Sequence, residues 1–178
     1  MASTFQRRKI TNVFRAMDTD EDGYLTESDF TALTTRWTRI LDAAPDTPDH
    51  TRVQAIMMGW WTALHAAADH DGDNRVTVEE VLTVVDQLPA MIDAVTATAH
   101  TVFDATDTDG DGVISAVEYR TLVEAWNGSP ADVDEVFPLL DLDHDGTVSR
   151  DEFTAHWIEF WAGDDPDAPG TWVFGRFD

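Results

Sequence analysis

Four stretches of this chain place carboxylates at every other position of a short turn and then add one more seven residues later. The clearest is 107–118, with Asp107, Asp109 and Asp111 at positions one, three and five, Gly112 at six, Ile114 at eight and Glu118 at twelve. The pattern recurs at 18–29 (Asp18, Asp20, Asp22, Asp29), at 69–80 (Asp69, Asp71, Asp73, Glu80) and at 141–152 (Asp141, Asp143, Asp145, Glu152). Short Asp side chains at alternating positions of a tight loop converge on one point. A longer acid on the following helix closes the shell, and the residue at six must supply a positive φ for the bend. Such a group of like charges is stable only around a cation. An all-oxygen set of this size suits a hard ion that takes six to eight oxygens, which is Ca²⁺. The backbone carbonyls of Tyr24, Arg75, Val113 and Thr147, at position seven, complete the candidate ligand set. Position eight faces away from the ion, so Leu25 is expected to bridge to Val76 and Ile114 to Val148.

This spacing resembles the EF-hand calcium loop. It also accounts for the composition. The net charge is −24, from 35 acids against 11 bases. Sixteen of those acids are candidate ligands, and the remainder exceed the bases by only eight. Disorder is a poor explanation, because 43% of the residues are hydrophobic, including seven Trp and nine Phe. The acidity argues against nucleic acid or an anionic membrane as partner. Without cysteine there are neither disulfides nor thiolate metal sites. The longest run free of formal charge, 53–68, is too short for a membrane span and reads as a buried helix. The opening residues show no secretory pattern, so a soluble, cytoplasmic monomer is expected. Ten Arg against one Lys, with abundant Ala, Thr and Asp, points to a GC-rich bacterial genome.

Apolar stripes at helical spacing flank each loop. Ile10, Val13, Phe14 and Met17 enter the first, and Phe30, Leu33 and Trp37 leave it in a helix ending near Asp42. Two prolines then mark a connection. A long helix from about Asp49 follows, burying Ile56, Met57, Trp60, Trp61, Leu64 and Ala68. Val81, Val84, Val85 and Leu88 leave loop two, and Pro89 marks the joint between lobes. Val102 and Phe103 enter loop three; Tyr119, Leu122, Val123 and Trp126 leave it. The run 127–130 predicts a cap, a turn and a new helix start, with Val133, Val136, Phe137 and Leu140 entering loop four. Phe153, Trp157 and Phe160 leave that loop. Beyond them the tail carries Trp172, Val173, Phe174 and Phe177, too apolar to stay solvated. The reading is an all-α chain of four EF-hands in two pairs, packed into a compact globule with a docked C-terminal tail. Its domains are 1–88, 89–162 and the tail 163–178.

Two loops depart from the pattern. Asn74 stands where loop two needs a left-handed residue, and Asn tolerates that conformation best after Gly. Asp29 replaces Glu at position twelve of loop one. Its shorter arm needs either a contracted loop or a single contact, which favours six-coordinate Mg²⁺ there. Up to four Ca²⁺ are expected, with Mg²⁺ possible chiefly in 18–29. The six histidines lack partners at zinc spacing. No nucleophile-and-base arrangement or phosphate loop appears, so an enzyme is not expected.

The whole layout resembles the sarcoplasmic calcium-binding proteins and their calerythrin-like bacterial branch. The shared features are four hands, a long first interval, a Trp- and Phe-rich interior and the apolar tail 164–175. That resemblance implies a globular calcium buffer. Coelenterazine photoproteins share the layout. Their light emission depends on His, Trp and Tyr lining one cavity, whereas Tyr24 and Tyr119 are the only tyrosines and both lie at loops. A cavity for some apolar ligand stays open. The alternative to a buffer is a sensor that exposes a groove to a protein target. Five Met against seven Trp weigh towards the buffer, because a sensor groove is flexible and Met-rich.

Overall fold

The computed structural model describes residues 3–176; Met1, Ala2, Phe177 and Asp178 lie outside the described residues, and with them the expectation for Phe177. Eight α-helices are found among the described residues, and they flank the four acidic loops in order. Helices α1 (Thr4–Met17) and α2 (Glu27–Ile40) surround loop one; α3 (Pro48–Ala68) and α4 (Val78–Val85) surround loop two. Helices α5 (Ile92–Thr106) and α6 (Ala116–Asn127) surround loop three, and α7 (Phe137–Leu140) and α8 (Arg150–Ala162) surround loop four. The chain divides into two compact units. One holds the residues up to Gln87 with Ala125–Gly128, and the other holds Leu88–Glu124 with the residues from Ser129 on.

In the first unit, α2 packs on α3 and α1 packs against α4. Helix α1 buries Ile10, Val13, Phe14 and Met17, the stripe its 3.6-residue period predicts. It also buries Lys9, whose Nζ lies 5.1 Å from the centre of the Phe5 ring. Helix α3 begins on Pro48 behind the Thr47 cap and buries Val53, Ile56, Met57, Trp61 and Ala68. Trp60 and Leu64, expected inside, are only half-buried. Trp60 meets Trp126 edge-on, with ring centres 5.3 Å apart. Helix α4 is turned slightly from the expected face, so that Leu82 rather than Val84 is buried beside Val81 and Val85.

In the second unit, α5 packs on α8. The helix expected to enter loop four from Pro130 is only the four residues of α7. Pro138 explains the difference. Inside a longer helix it would lack a donor and strike the carbonyl four residues earlier, so it is accepted only in a first turn. Val133 and Val136 are nevertheless buried, held by backbone bonds from Val136 and Phe137 to the Val133 carbonyl. A 3₁₀ turn at Pro169–Trp172 lays the tail on α8 and buries Val173 and Phe174.

The loops pair within each unit as position eight predicts. Leu25 and Val76 exchange two backbone hydrogen bonds of 2.8 and 3.0 Å in a single bridge. In the second unit β1 (Val113–Ile114) and β2 (Val148–Ser149) form a two-residue antiparallel ladder, with Ile114 opposite Val148.

Candidate metal centres

Each loop carries a carboxylate group made by its own backbone. The Asp at position one accepts from amides further along the loop. In loop three, Asp107 Oδ1 accepts from Gly110 and Asp111 N–H at 2.8 and 3.1 Å, and Oδ2 from Gly112 at 3.0 Å. In loop four, Asp141 accepts from Asp145 and Gly146 at 3.1 and 2.9 Å. Asp18 does so from Asp22 and Gly23 at 3.1 and 2.9 Å, and Asp69 from Gly72, Asp73 and Asn74 at 2.8 to 3.2 Å. Asp20, Asp71, Asp109 and Asp143 each accept from the amide two residues on. Asp22, Asp73, Asp111 and Asp145 accept in the same way from Tyr24, Arg75, Val113 and Thr147. These bonds hold the carboxylates in their inward rotamers.

The result is four groups of three carboxylates whose oxygens all lie within 4.8 Å of one another. In loops one and two the grouped residues are Asp18, Asp20, Asp22 and Asp69, Asp71, Asp73. In loops three and four position twelve joins in: Asp107, Asp109, Glu118 and Asp141, Asp143, Glu152. The four groups contain carboxylates alone, which fits a hard divalent cation and not a soft one.

Position twelve has a second role that sequence reasoning missed. Glu118 Oε1 accepts from Thr108 N–H at 2.8 Å, while Oε2 accepts from the amide and hydroxyl of Ser115 at 2.9 and 2.8 Å. Glu80 bridges His70 and Thr77, and Glu152 bridges Leu142 and Ser149, in the same manner. The Ser or Thr at position nine forms a capping box with position twelve at the start of α2, α4 and α8. The signal was in the sequence, since Thr77-x-x-Glu80 and Ser149-x-x-Glu152 match the capping-box pattern.

Asp29 makes the same bridge with a shorter arm. Its Oδ1 accepts from Thr19 N–H and its Oδ2 from Thr26 N–H, both at 2.9 Å, and its side chain is buried. Thr26 and Asp29 form a capping box at the start of α2, and Asp29 N–H also donates to the Thr26 carbonyl oxygen at 3.1 Å.

The electrostatics follow from these partners. Hydrogen bonds from Thr77, led by its amide, hold the Glu80 carboxyl below its usual range. Burial pushes Glu118 and Glu152 up, but bonds from Ser115 and Thr108, and from Ser149 and Leu142, outweigh it and leave both lowered. Burial also pushes Asp69 up, and is outweighed by the Gly72 and Asn74 amides and by His65, whose Nε2 lies 3.0 Å from Oδ2. Asp145 is lowered by the hydroxyl and amide of Thr147. Asp20 goes the other way, raised by desolvation and by the charge of Asp22.

Asn74 adopts φ +63°, the left-handed conformation its position requires. Position four is also left-handed in every loop, which the sequence reading did not anticipate. Glu21, Gly72, Gly110 and His144 occupy it with φ between 58° and 74°. At position seven of the first pair, the Arg75 guanidinium lies 5.0 Å from the centre of the Tyr24 ring. No helix among the described residues is long and apolar enough to cross a membrane.

The geometry agrees with comparison to known proteins. Two family profiles, each described as an EF-hand domain pair, match residues 96–158 and 5–36. The sarcoplasmic calcium-binding protein of Scylla paramamosain is 28% identical over 188 aligned residues, covering 98% of this chain and 97% of that protein. Among solved structures, the amphioxus sarcoplasmic calcium-binding protein superposes with a TM-score of 0.75 at 20% identity, covering the whole of both chains. A calcium-binding protein of Streptomyces coelicolor, described as acting in prokaryotic calcium-mediated regulation, superposes with a TM-score of 0.72 at 25% identity. That match covers 90% of this chain and 99% of the other. With four acidic loops, helices on either side of each and relatives that span its length, the chain belongs to the EF-hand family and is similar along its length to the sarcoplasmic calcium-binding proteins.

Proposed function

We propose that this protein is a cytoplasmic Ca²⁺/Mg²⁺ buffer, binding up to four ions and acting without a catalytic step. The ligands are the carboxylates Asp18, Asp20, Asp22 and Asp29; Asp69, Asp71, Asp73 and Glu80; Asp107, Asp109, Asp111 and Glu118; Asp141, Asp143, Asp145 and Glu152. The position-seven carbonyls join them, and Mg²⁺ is favoured in loop one. Calcium binding is supported by the oxygen-only loop groups and by relatives named for it. The choice of buffer rests on one observation. Phe174 of the tail packs among Trp157, Phe160 and Trp161 of the fourth hand, on the apolar side that a sensor would offer to a target.

In the ion-free protein the converging carboxylates repel one another. Binding removes that repulsion and stabilises the folded form by mass action, about 2.7 kcal/mol per site at one hundred times the Kd. A second reading, a sensor that regulates a partner protein, is favoured by the likeness to the Streptomyces coelicolor protein described in calcium-mediated regulation. Binding of an apolar fluorescent dye to the ion-free, Mg²⁺ and Ca²⁺ forms separates the two. The buffer reading expects the Mg²⁺ and Ca²⁺ forms to bind dye equally little. Calcium-specific exposure of apolar surface would replace it with the sensor.

A further inference from the structure

The tail makes contacts that reach back to the loops. Thr171 and Val173 have no exposed surface, and the Phe174 ring lies 4.8 Å from that of Phe160 and 5.2 Å from that of Trp157. Gly170 fits so closely that a Cβ there would come within 2.4 Å of the His156 carbonyl oxygen and 2.6 Å of Glu159 Cβ. Its N–H donates to Glu159 Oε2 at 2.9 Å. On the other side, the Tyr119 hydroxyl donates to the Trp172 carbonyl oxygen at 2.7 Å, and the Tyr119 ring is buried.

Both anchors stand next to candidate ligands. Tyr119 directly follows Glu118, the closing carboxylate of loop three. Helix α8, on which the tail lies, carries Glu152 in its first turn. From α8, His156 Nε2 reaches the Leu140 carbonyl oxygen at 2.7 Å, one residue before Asp141. Thus both position-twelve carboxylates of this hand pair sit on helices that the tail touches.

From these contacts we infer that the tail is a built-in ligand of the second hand pair, its docking thermodynamically coupled to cation binding at loops three and four, with Tyr119 as the positioning residue that links it to loop three. The inference rests on the reading of those loops as calcium sites. Its sign follows from the docked arrangement, in which Glu118 converges with Asp107 and Asp109, and Glu152 with Asp141 and Asp143. Undocking releases the helices that hold these two glutamates, so docking raises affinity. By linkage, the cation strengthens docking by the same factor.

The test uses the full chain. Gly170→Ala pushes the tail off sterically and deletes nothing from the hands; Phe174→Asp does so independently, by placing a charge where an aromatic ring is buried. Calorimetric titration is expected to show two calcium sites weakened about tenfold in either variant, the scale of a typical site-to-site coupling. Hydrogen exchange is expected to be faster over 169–175 in both variants, and slowed there by calcium in the wild type. Tyr119→Phe loses one hydrogen bond and weakens binding about threefold on its own. Combined with Gly170→Ala it adds nothing, because its partner has already left. A merely structural tyrosine would add its full loss to the double variant. Unchanged calcium affinity in variants whose tail exchanges freely overturns the coupling alone. A wild-type chain that binds no calcium overturns the loop reading and the coupling with it.

Discussion

The two hand pairs use the same loop pattern and arrive at different carboxylate geometry. In the first pair a single Leu25–Val76 bridge joins the loops, and the grouped carboxylates come from positions one, three and five. In the second pair a two-residue ladder joins them, and position twelve enters the group. Side-chain length does not explain the contrast, because Glu80 in loop two is as long as Glu118 yet stands outside its group. What differs is the packing behind the exit helices. Helix α8 carries the tail and the stacked rings of Phe153 and Trp157, 5.6 Å apart. The eight-residue α4 packs against α1 and α3 and carries no aromatic side chain of its own. The contrast predicts that convergence at position twelve depends on how firmly the helix bearing it is held.

The largest expected effect tests that support. Trp157 is 1% exposed and touches Phe153, Trp161 and Phe174. Trp157→Ala should cost about 3–5 kcal/mol of stability in the ion-free protein, measured by denaturant unfolding. Trp61, at 8% exposure with Phe30 and His65 as ring neighbours, should cost less when cut to Ala. Equal losses would remove packing as the source of the difference between the pairs.

Position twelve comes next. Glu118→Gln keeps the shape and removes the charge, and should weaken one calcium site by about a hundredfold, the upper end for residues that merely support a ligand. Asp29→Glu in loop one should do the reverse and favour Ca²⁺ over Mg²⁺ by about tenfold, within the range over which such loops are tuned. Calorimetry with each ion reads both. A loop one that keeps its preference after gaining the longer arm would locate ion choice in the backbone instead.

These contrasts also mark what the sequence could and could not disclose. The loops, their pairing through Leu25, Val76, Ile114 and Val148, and most of the buried stripe were legible, because they depend on local spacing with a period of two or 3.6 residues. The length of α7 was legible in principle, since Pro138 stood in the expected helix, but the apolar run around it hid the break. The Tyr119–Trp172 bond was not legible. It joins residues 53 apart, and no local pattern encodes such a meeting. The position-four conformation was obscured for a different reason: Gly72 and Gly110 announce it, while Glu21 and His144 do not.

A smaller effect concerns pH. The carboxyls of Glu80, Glu118 and Glu152 are lowered from an ordinary value of 4.5. A lowered acid contributes stability that is fully present above its unfolded value and is lost as the pH falls through its folded one. The ion-free protein should therefore melt a few degrees lower as pH drops below about 4.5. Asp20, raised by desolvation and by Asp22, contributes with the opposite sign in loop one. Thr77→Ala and Ser115→Ala, which remove the hydroxyl donors to Glu80 and Glu118, should flatten the acid side of the melting curve. An unchanged slope would assign the acid loss to other carboxylates.

The smallest effect isolates the backbone. Position four is left-handed in both loops of the second pair, but Gly110 fills it in loop three and His144 in loop four. A Cβ added at Gly110 would meet nothing within 4 Å, so Gly110→Ala should cost only the conformational penalty of a left-handed L-residue, about 1 kcal/mol. His144→Gly removes that penalty in loop four but gives back most of it as extra freedom of the unfolded chain, leaving a gain of about 0.5 kcal/mol or less. Thermal melts of the ion-free variants resolve the two. If His144→Gly also tightens calcium binding in loop four, strain at position four is being relieved on binding. If affinity is unchanged, the strain is carried equally by both forms.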